Sequence, residues 1–171
     1  MKTIKVLILV METMIGVITA QAGCGAGRTI GANLIKELEG FHETPYRCSA
    51  GHQTIGYGFT EPKYSYRTSI TRSESDRIVD RYASELLTFV RQKVGTTKLT
   101  SHQEGALVSF VYNIGRQAFV ESTALKRIRE GNLSGVPDAM RMWNKVTVNG
   151  KKQISAGLVT RREREIQVWN S

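Results

Sequence analysis

The apolar positions just before residue 40 recur at the spacing of a short helix. Leu34, Ile35 and Leu38 would share one face of that helix, and Gly40 stands where helices commonly stop. The pattern therefore predicts that Glu39 lies at the C-terminal end of a helix. A carboxylate at that end opposes the helix dipole, which favours a functional reason for its presence.

The pattern changes to that of a small sheet between residues 46 and 59. Residues 49–51 (SAG) are typical of a turn, and residues 53–59 (QTIGYGF) place β-branched and aromatic side chains between glycines. We expect a small β-hairpin or a three-stranded ribbon here. Residues 146–150 (VTVNG) predict a second short hairpin, because Asn-Gly favours the tight turns that join paired strands.

The rest of the chain has the pattern of helices. Thr71 with Glu74, and Ser101 with Glu104, have the spacing of capping boxes, and each pair precedes apolar residues at helical intervals. The helix after Ser101 is strongly apolar and is expected at the centre of the core. Further helices are predicted over residues 123–130, 137–144 and 158–169. The predicted fold class is α+β, with a small antiparallel sheet beside a mainly helical lobe and a cleft between them.

The N-terminal segment has the form of an export signal. Lys2 and Lys5 precede a mostly apolar stretch over residues 6–20, and residues 20–22 (AQA) match a signal-peptidase site. Glu12 interrupts the stretch at a cost of about 3 kcal/mol on membrane insertion. A weak membrane anchor that later leaves the bilayer is therefore an alternative to a cleaved signal, and a buried helix of a cytoplasmic protein is another.

The predicted organisation has three parts. Residues 1–22 form the export signal or weak anchor, and residues 23–32, rich in Gly and Ala, form a flexible linker. Residues 33–171 form one folded domain, since the 171-residue chain has room for a single core. We expect this domain to be a monomer.

The formal net charge of +9 implies attraction to a polyanion, which could be nucleic acid, an anionic membrane face or the bacterial wall. No run of basic residues exceeds two, and no zinc-finger spacing occurs, which argues against a nucleic-acid reader. The three histidines, His42, His52 and His102, lack metal-ligand spacing. We therefore expect no metal and no cofactor.

Three residues have the spacing of a glycosidase site. Eight residues separate Glu39 from Cys48, and five more separate Cys48 from Thr54. A carboxylate at a helix end, followed by a hairpin with a second ionisable group, can place an acid and a base on either side of a glycosidic bond. The spacing resembles that of the phage-type lysozymes, glycoside hydrolase family 24, whose pattern is Glu, eight residues, Asp or Cys, five residues, Thr.

The resemblance continues in the same order from Ile35 to Trp169. Its blocks are residues 46–48 (YRC), 54–58 (TIGYG), 107–115 (LVSFVYNIG), 157–159 (GLV) and 161–162 (RR). It implies a lysozyme-like fold and a muramidase that cleaves the β-1,4 bond between N-acetylmuramic acid and N-acetylglucosamine. As an endolysin, such an enzyme would lyse the host cell.

The resemblance also implies roles for individual residues. Glu39 would be the general acid that protonates the leaving glycosidic oxygen, with its neighbour Glu37, which misses the spacing, as the alternative. Thr54 would position the attacking water or sugar.

Arg161 and Arg162 lie where the family places arginines that face the cleft, and one of them, with Arg161 favoured, would pair with Glu39. Tyr112 and Ser122 resemble positions that line the sugar-binding groove.

Cys48 departs from most of the family, which has Asp at this position. A thiol has an ordinary pKa of about 8.5 and reacts mainly as the thiolate, so Cys48 could act as a base or as a nucleophile. The stereochemical outcome, inverting or retaining, therefore stays open. Some exported members are held inactive by a disulfide while tethered to the membrane, and a Cys24–Cys48 disulfide would do the same here. The chain has no third cysteine, so activation would need an outside reductant.

The expected function is thus that of an exported peptidoglycan hydrolase. It would act in the host periplasm on peptidoglycan, and residues 6–22 would contact the inner membrane transiently. A lytic transglycosylase, which leaves anhydro ends, is an alternative within the enzymes. A catalytically silent wall-binding homologue is an alternative outside them, because the base position is not a carboxylate.

Overall fold

The computed structural model describes residues 25–47, 51–60, 62–64, 66–148 and 150–171. The export segment, Cys24 and Cys48 lie outside the described residues, so the predictions about them stay predictions. Within the described residues the chain forms seven α-helices and four strands. In chain order these are α1 (25–39), β1 (His42–Arg47), β2 (Gln53–Gly56), α2 (Arg72–Val94), α3 (Ser101–Ile114), α4 (Arg116–Val120), α5 (Thr123–Arg129), α6 (Val136–Arg141), β3 (Lys145–Val148), β4 (Lys151–Ile154) and α7 (Ala156–Trp169).

The predicted α+β class is confirmed. β1 pairs with β2 and β3 pairs with β4, each as a two-stranded antiparallel hairpin, and the remaining elements are helical. Residues 149 and 150, where the sequence predicts a turn, lie between β3 and β4 along the chain. Both expected hairpins are therefore present, and the first begins earlier than predicted, at His42.

The core is built around α3, as its apolar sequence predicts. Every residue from Gly105 to Val111 is buried. α3 packs against both α7 and α2, while α5 packs against α6. Because α7 packs along α3, the position of α3 determines which parts of the core the side chains of α7 contact.

The prediction of a flexible linker over residues 23–32 is wrong for residues 25–32, which are helical. The glycines there allow close packing of α1 against α3. A Cβ atom on Gly31 would lie 2.6 Å from Val108 Cγ1, and one on Gly105 would lie 2.4 Å from Ile30 Cγ2. Small residues are thus required where α1 contacts α3. The folded domain therefore includes α1 and begins by residue 25.

The helix caps differ in one respect from the prediction. Thr71 caps α2, because its hydroxyl accepts a hydrogen bond from the Glu74 backbone N–H at 3.2 Å. The capping box of α3 lies one residue earlier than expected. Thr100 accepts from the Gln103 backbone at 3.1 Å, and the Gln103 side chain accepts from the Thr100 backbone at 3.0 Å.

Among the described residues, no helix combines the length and the apolar character needed to cross a membrane.

Candidate active site

Glu39 is the last residue of α1, as predicted. The helix ends because Gly40 adopts φ +70°, a conformation that favours glycine, while its backbone N–H donates to Lys36 O at 3.3 Å. The chain then enters β1. This sharp change of direction leaves the Glu39 side chain 20% exposed, at the junction between the first hairpin and the helical lobe.

Arg161, on α7, pairs with Glu39. Its Nη2 lies 2.8 Å from Glu39 Oε1, as an ion pair whose angle is not that of an aligned hydrogen bond. The Arg161 side chain is only 9% exposed. The predicted partner of Glu39 is therefore correct, and Arg161 rather than its neighbour Arg162 makes the contact.

The backbone of the first hairpin lies against the second carboxylate oxygen of Glu39, Oε2. Gly58 lies in the turn after β2 with φ +85°, and a Cβ atom there would lie 3.0 Å from Glu39 Oε2. The turn is held by two backbone hydrogen bonds between Ile55 and Phe59, at 2.9 and 3.2 Å. Glycine is thus needed at position 58 for its backbone conformation and for the space beside Glu39.

A groove opens beside Gly58, between the first hairpin and the helices. Its other walls come from α2, α3 and the start of α4, and its lining includes Gly58, Thr60, Tyr82, Glu85, Tyr112 and Arg116. The Tyr112 hydroxyl donates to the Tyr57 backbone carbonyl at 2.8 Å, which ties α3 to the hairpin. The predicted cleft between sheet and helices is therefore present. Tyr112 lies in the wall of this cleft. Gly58 lies in the cleft lining and also beside Glu39.

Thr54 lies on β2 opposite Tyr46 and is almost fully buried. Its Oγ1 donates to the His52 backbone carbonyl at 3.1 Å, so its lone pairs can still accept a hydrogen bond. Cys48 follows the last residue of β1 in the sequence and lies outside the described residues. The roles of Thr54 and Cys48 therefore stay predictions.

Ser122 has a structural role that the sequence analysis did not foresee. Its hydroxyl caps α5, because it accepts from the Leu125 backbone N–H at 3.1 Å and donates to Phe119 O at 2.7 Å. Ser122 also lines a hollow beside the second hairpin, with Trp143 and Lys145. A cap of α5 thus explains a serine at this position whether or not it also touches a sugar.

A buried carboxylate lies behind Arg161, and the sequence analysis missed it. Glu165 is 0% exposed, and its Oε1 lies 3.3 Å from Arg161 Nε. The Ser109 hydroxyl donates to the same oxygen at 2.9 Å. Burial raises the pKa of Glu165, while Arg162, Arg161 and the Ser109 hydroxyl act against that rise.

Arg162 completes this buried cluster. Its Nε lies 2.9 Å from Glu165 Oε2, and its Nη2 donates to Asn113 Oδ1 at 2.7 Å. The guanidinium also lies 5.0 Å from the centre of the Phe110 ring. Burial lowers the pKa of Arg162 to about 10, with Glu165 opposing the change. The guanidinium is therefore still charged at neutral pH.

The comparisons with known proteins agree with this geometry. The family model described as Phage lysozyme matches residues 36–165. The endolysin of Acyrthosiphon pisum secondary endosymbiont phage 1 is 33% identical over 141 residues, which cover 82% of this chain and 95% of that protein. The SAR-endolysin of Escherichia phage Mu is 31% identical over 157 residues, which cover 92% and 88% of the two chains.

A solved structure shows the same fold. The muramidase domain of SpmX from Asticaccaulis excentricus superposes with a TM-score of 0.73 and is 32% identical, covering 82% of this chain and 95% of that one. The family match on this chain includes Glu39, Thr54, Arg161 and Glu165.

Proposed function

Because the chain belongs to the phage lysozyme family, we propose that Glu39 is the general acid with which it cleaves peptidoglycan. The chain is a lysozyme, a muramidase that hydrolyses the β-1,4 bond between N-acetylmuramic acid and N-acetylglucosamine and lyses the host cell. The supporting observation is the position of Glu39, which lies between Arg161 and the Gly58 backbone at the edge of the groove.

The position of Glu39 beside Gly58 supports contact with a glycosidic oxygen of a sugar chain in the groove. A sugar chain in the groove would pass Gly58, which carries no side chain at the point where a Cβ atom would lie 3.0 Å from Glu39 Oε2. A general acid must carry its proton when it acts, and the Arg161 guanidinium favours the ionised carboxylate. In the proposed mechanism, substrate binding loosens this ion pair, and the protonated carboxyl then donates to the leaving oxygen.

We assign the opposite side of the sugar to Cys48 and Thr54. The Cys48 thiolate would act as base toward water or as nucleophile, and the Thr54 hydroxyl would accept a hydrogen bond from the attacking group. Thr54 is suited to this, because its own proton is already donated to His52 O. The first case gives inversion at the anomeric carbon and the second gives retention.

The groove and the charge of the chain would bind the substrate. Tyr112 offers a ring to the groove while its hydroxyl holds the hairpin, a combination that suits stacking on a sugar. We place Ser122 at the margin of the binding surface, beside the hollow lined by Trp143. The net charge of +9 would concentrate the enzyme on the anionic wall.

The enzyme acts on the cell wall, and the SAR-endolysin relatives support a periplasmic site of action. We propose that residues 1–22 direct export, that residues 6–22 tether the chain transiently to the inner membrane, and that the released enzyme is a monomer. In the tethered state a Cys24–Cys48 disulfide would block the thiolate. This regulation rests on the sequence positions of the two cysteines.

The products of the reaction test the proposed mechanism. Purified Gram-negative sacculi digested with the full chain should release fragments that end in reducing N-acetylmuramic acid, as found by mass spectrometry. A transglycosylase would instead leave 1,6-anhydro ends, which are lighter by one water molecule, and a silent wall-binding homologue would release nothing. Either result would contradict hydrolysis by an acid and an activated water.

A further inference from the structure

Arg161 has two carboxylate partners, and only one of them can meet the substrate. Its Nη2 faces Glu39 Oε1 at 2.8 Å, and its Nε faces Glu165 Oε1 at 3.3 Å. Glu39 is partly exposed, whereas Glu165 has no exposed surface. The single guanidinium therefore connects a carboxylate at the groove with one inside the core.

The donors around Glu165 favour its ionised form. Oε1 accepts from the Ser109 hydroxyl at 2.9 Å and is approached by Arg161 Nε, and Oε2 lies 2.9 Å from Arg162 Nε. The Ser109 hydroxyl and Arg161 Nε donate to Oε1, and Arg162 lies at ion-pair distance from Oε2, so these groups stabilise the negative charge against burial, which raises the pKa of Glu165. The cluster therefore pairs two carboxylates with two guanidiniums.

The other charged groups between α7 and its neighbouring helices are paired with each other near the surface. Against α1, Arg164 pairs with Glu37, and against α6, Glu163 pairs with Arg141. α3 contributes Ser109 and Asn113, which are uncharged. Among the described residues, Glu165 is therefore the anionic group that shares Arg161 with Glu39.

We propose that Glu165 is a positioning residue for the reaction: it holds Arg161 by Nε and offsets part of its positive charge, so that Glu39 can carry the proton it donates. The inference rests on the proposed role of Glu39 as general acid. Without a second anion, the full charge of Arg161 at 2.8 Å would favour the ionised form of Glu39, in an environment with little screening by water. Glu165 acts through Arg161 and does not touch the sugar.

The test compares Glu165→Gln with the wild type across pH. Gln keeps the shape of the Glu165 side chain and removes its charge. The basic limb of the pH–rate profile for sacculus digestion should therefore move to lower pH by about one unit. At a fixed pH above the limb, this shift corresponds to about a tenfold lower rate. KM should change little, because Glu165 has no contact with the groove. Glu165→Asp retains the charge and should restore most of the wild-type profile.

Glu163→Gln is the matched control. It removes the same charge from the same helix, at an exposed position paired with Arg141. Its basic limb should coincide with that of the wild type. A Glu165→Gln protein that is folded by circular dichroism and has the wild-type limb would overturn the proposal.

A second variant covers the case in which Glu165→Gln does not fold because Arg162 is left buried without its partner. The double variant Glu165→Gln with Arg162→Gln removes both charges of the buried ion pair, and its limb should still move to lower pH, by a smaller amount, because Arg161 again lacks its second carboxylate. An unchanged limb in this variant would also overturn the proposal.

A measurement without substrate separates this inference from the proposed function. The side-chain carboxyl resonance of Glu39, assigned by its loss in Glu39→Gln, should titrate at lower pH in Glu165→Gln than in the wild type. Equal midpoints would refute the role of Glu165 even if the enzyme cleaves peptidoglycan as proposed. A failure of Glu39→Gln to reduce digestion would refute the proposed function, while the titration would still decide the coupling through Arg161.

Discussion

Replacing Glu39 with Gln is expected to slow the digestion of sacculi about 10²- to 10⁴-fold, the usual contribution of a general acid. Gln has nearly the same shape, and its amide oxygen can still face Arg161 Nη2. It cannot supply the carboxyl proton to the leaving oxygen. The loss of turbidity of a sacculus suspension measures the rate, and circular dichroism checks that the variant is folded.

Glu37→Gln is the control for this substitution. Glu37 lies two residues earlier on α1, is about half exposed, and pairs with Arg164 at 2.6 Å. Arg164 lowers the pKa of Glu37, so this carboxylate is ionised at neutral pH and poorly suited to donate a proton. Its replacement should leave the rate within about twofold of wild type, since an exposed ion pair contributes little. If Glu39→Gln were as active as Glu37→Gln, the acid would have to be another residue.

Cys48→Ser is expected to have the second largest effect, a loss of about 10²-fold or more in the digestion rate. A serine hydroxyl ionises far less readily than a thiol, so it would be a poor base and a poor nucleophile without a partner of its own. Cys48→Asp should retain substantial activity, because most of the family carries Asp there, and should resist thiol alkylation. Wild-type activity in Cys48→Ser would remove Cys48 from the mechanism.

The same cysteine gives a test of the proposed disulfide. Full-length exported protein should gain activity when a reductant is added, whereas Cys24→Ser should be fully active without it. Cys24→Ser is the matched control, since it leaves Cys48 in place and removes only the proposed partner. No response of the wild type to reductant would refute the regulatory pairing while leaving the catalytic role of Cys48 open to the first experiment.

Local patterns predicted the position of Glu39 because each signal acts over a few residues. The spacing of Leu34, Ile35 and Leu38 fixed a helix face, and Gly40 fixed its end. The pairing with Arg161 came from the resemblance to the lysozymes, and the structure confirms it at 2.8 Å. Both hairpins and the central helix α3 followed from alternation, turn residues and apolar content.

Long-range packing explains one of the misses, and weak or ambiguous local signals explain the others. Gly27 and Gly31 have a composition typical of a linker, yet they are small because α3 comes close to α1. Thr100 and Ser101 are both good cap residues, so local chemistry could not choose between them. The helix α4 was missed because five residues carry too little periodicity.

Glu165 was missed for a related reason. A glutamate three and four residues after arginines is typical of a solvated helix face. Only the packing of α7 against α3 shows that these side chains point inward, where their charges must be matched. A signal was present in the sequence, since Arg161, Arg162 and Glu165 share the face of the helix that carries Ile166 and Trp169 into the core.

The structure of Glu39→Gln with a bound peptidoglycan oligosaccharide tests the central claim most directly. We expect the sugar chain to lie in the groove against Gly58 and Tyr112, with one muramic acid glycosidic oxygen within about 3 Å of the side-chain amide introduced at position 39. An oligosaccharide bound elsewhere, or one whose glycosidic oxygens all lie beyond hydrogen-bond reach of that amide, would contradict the account.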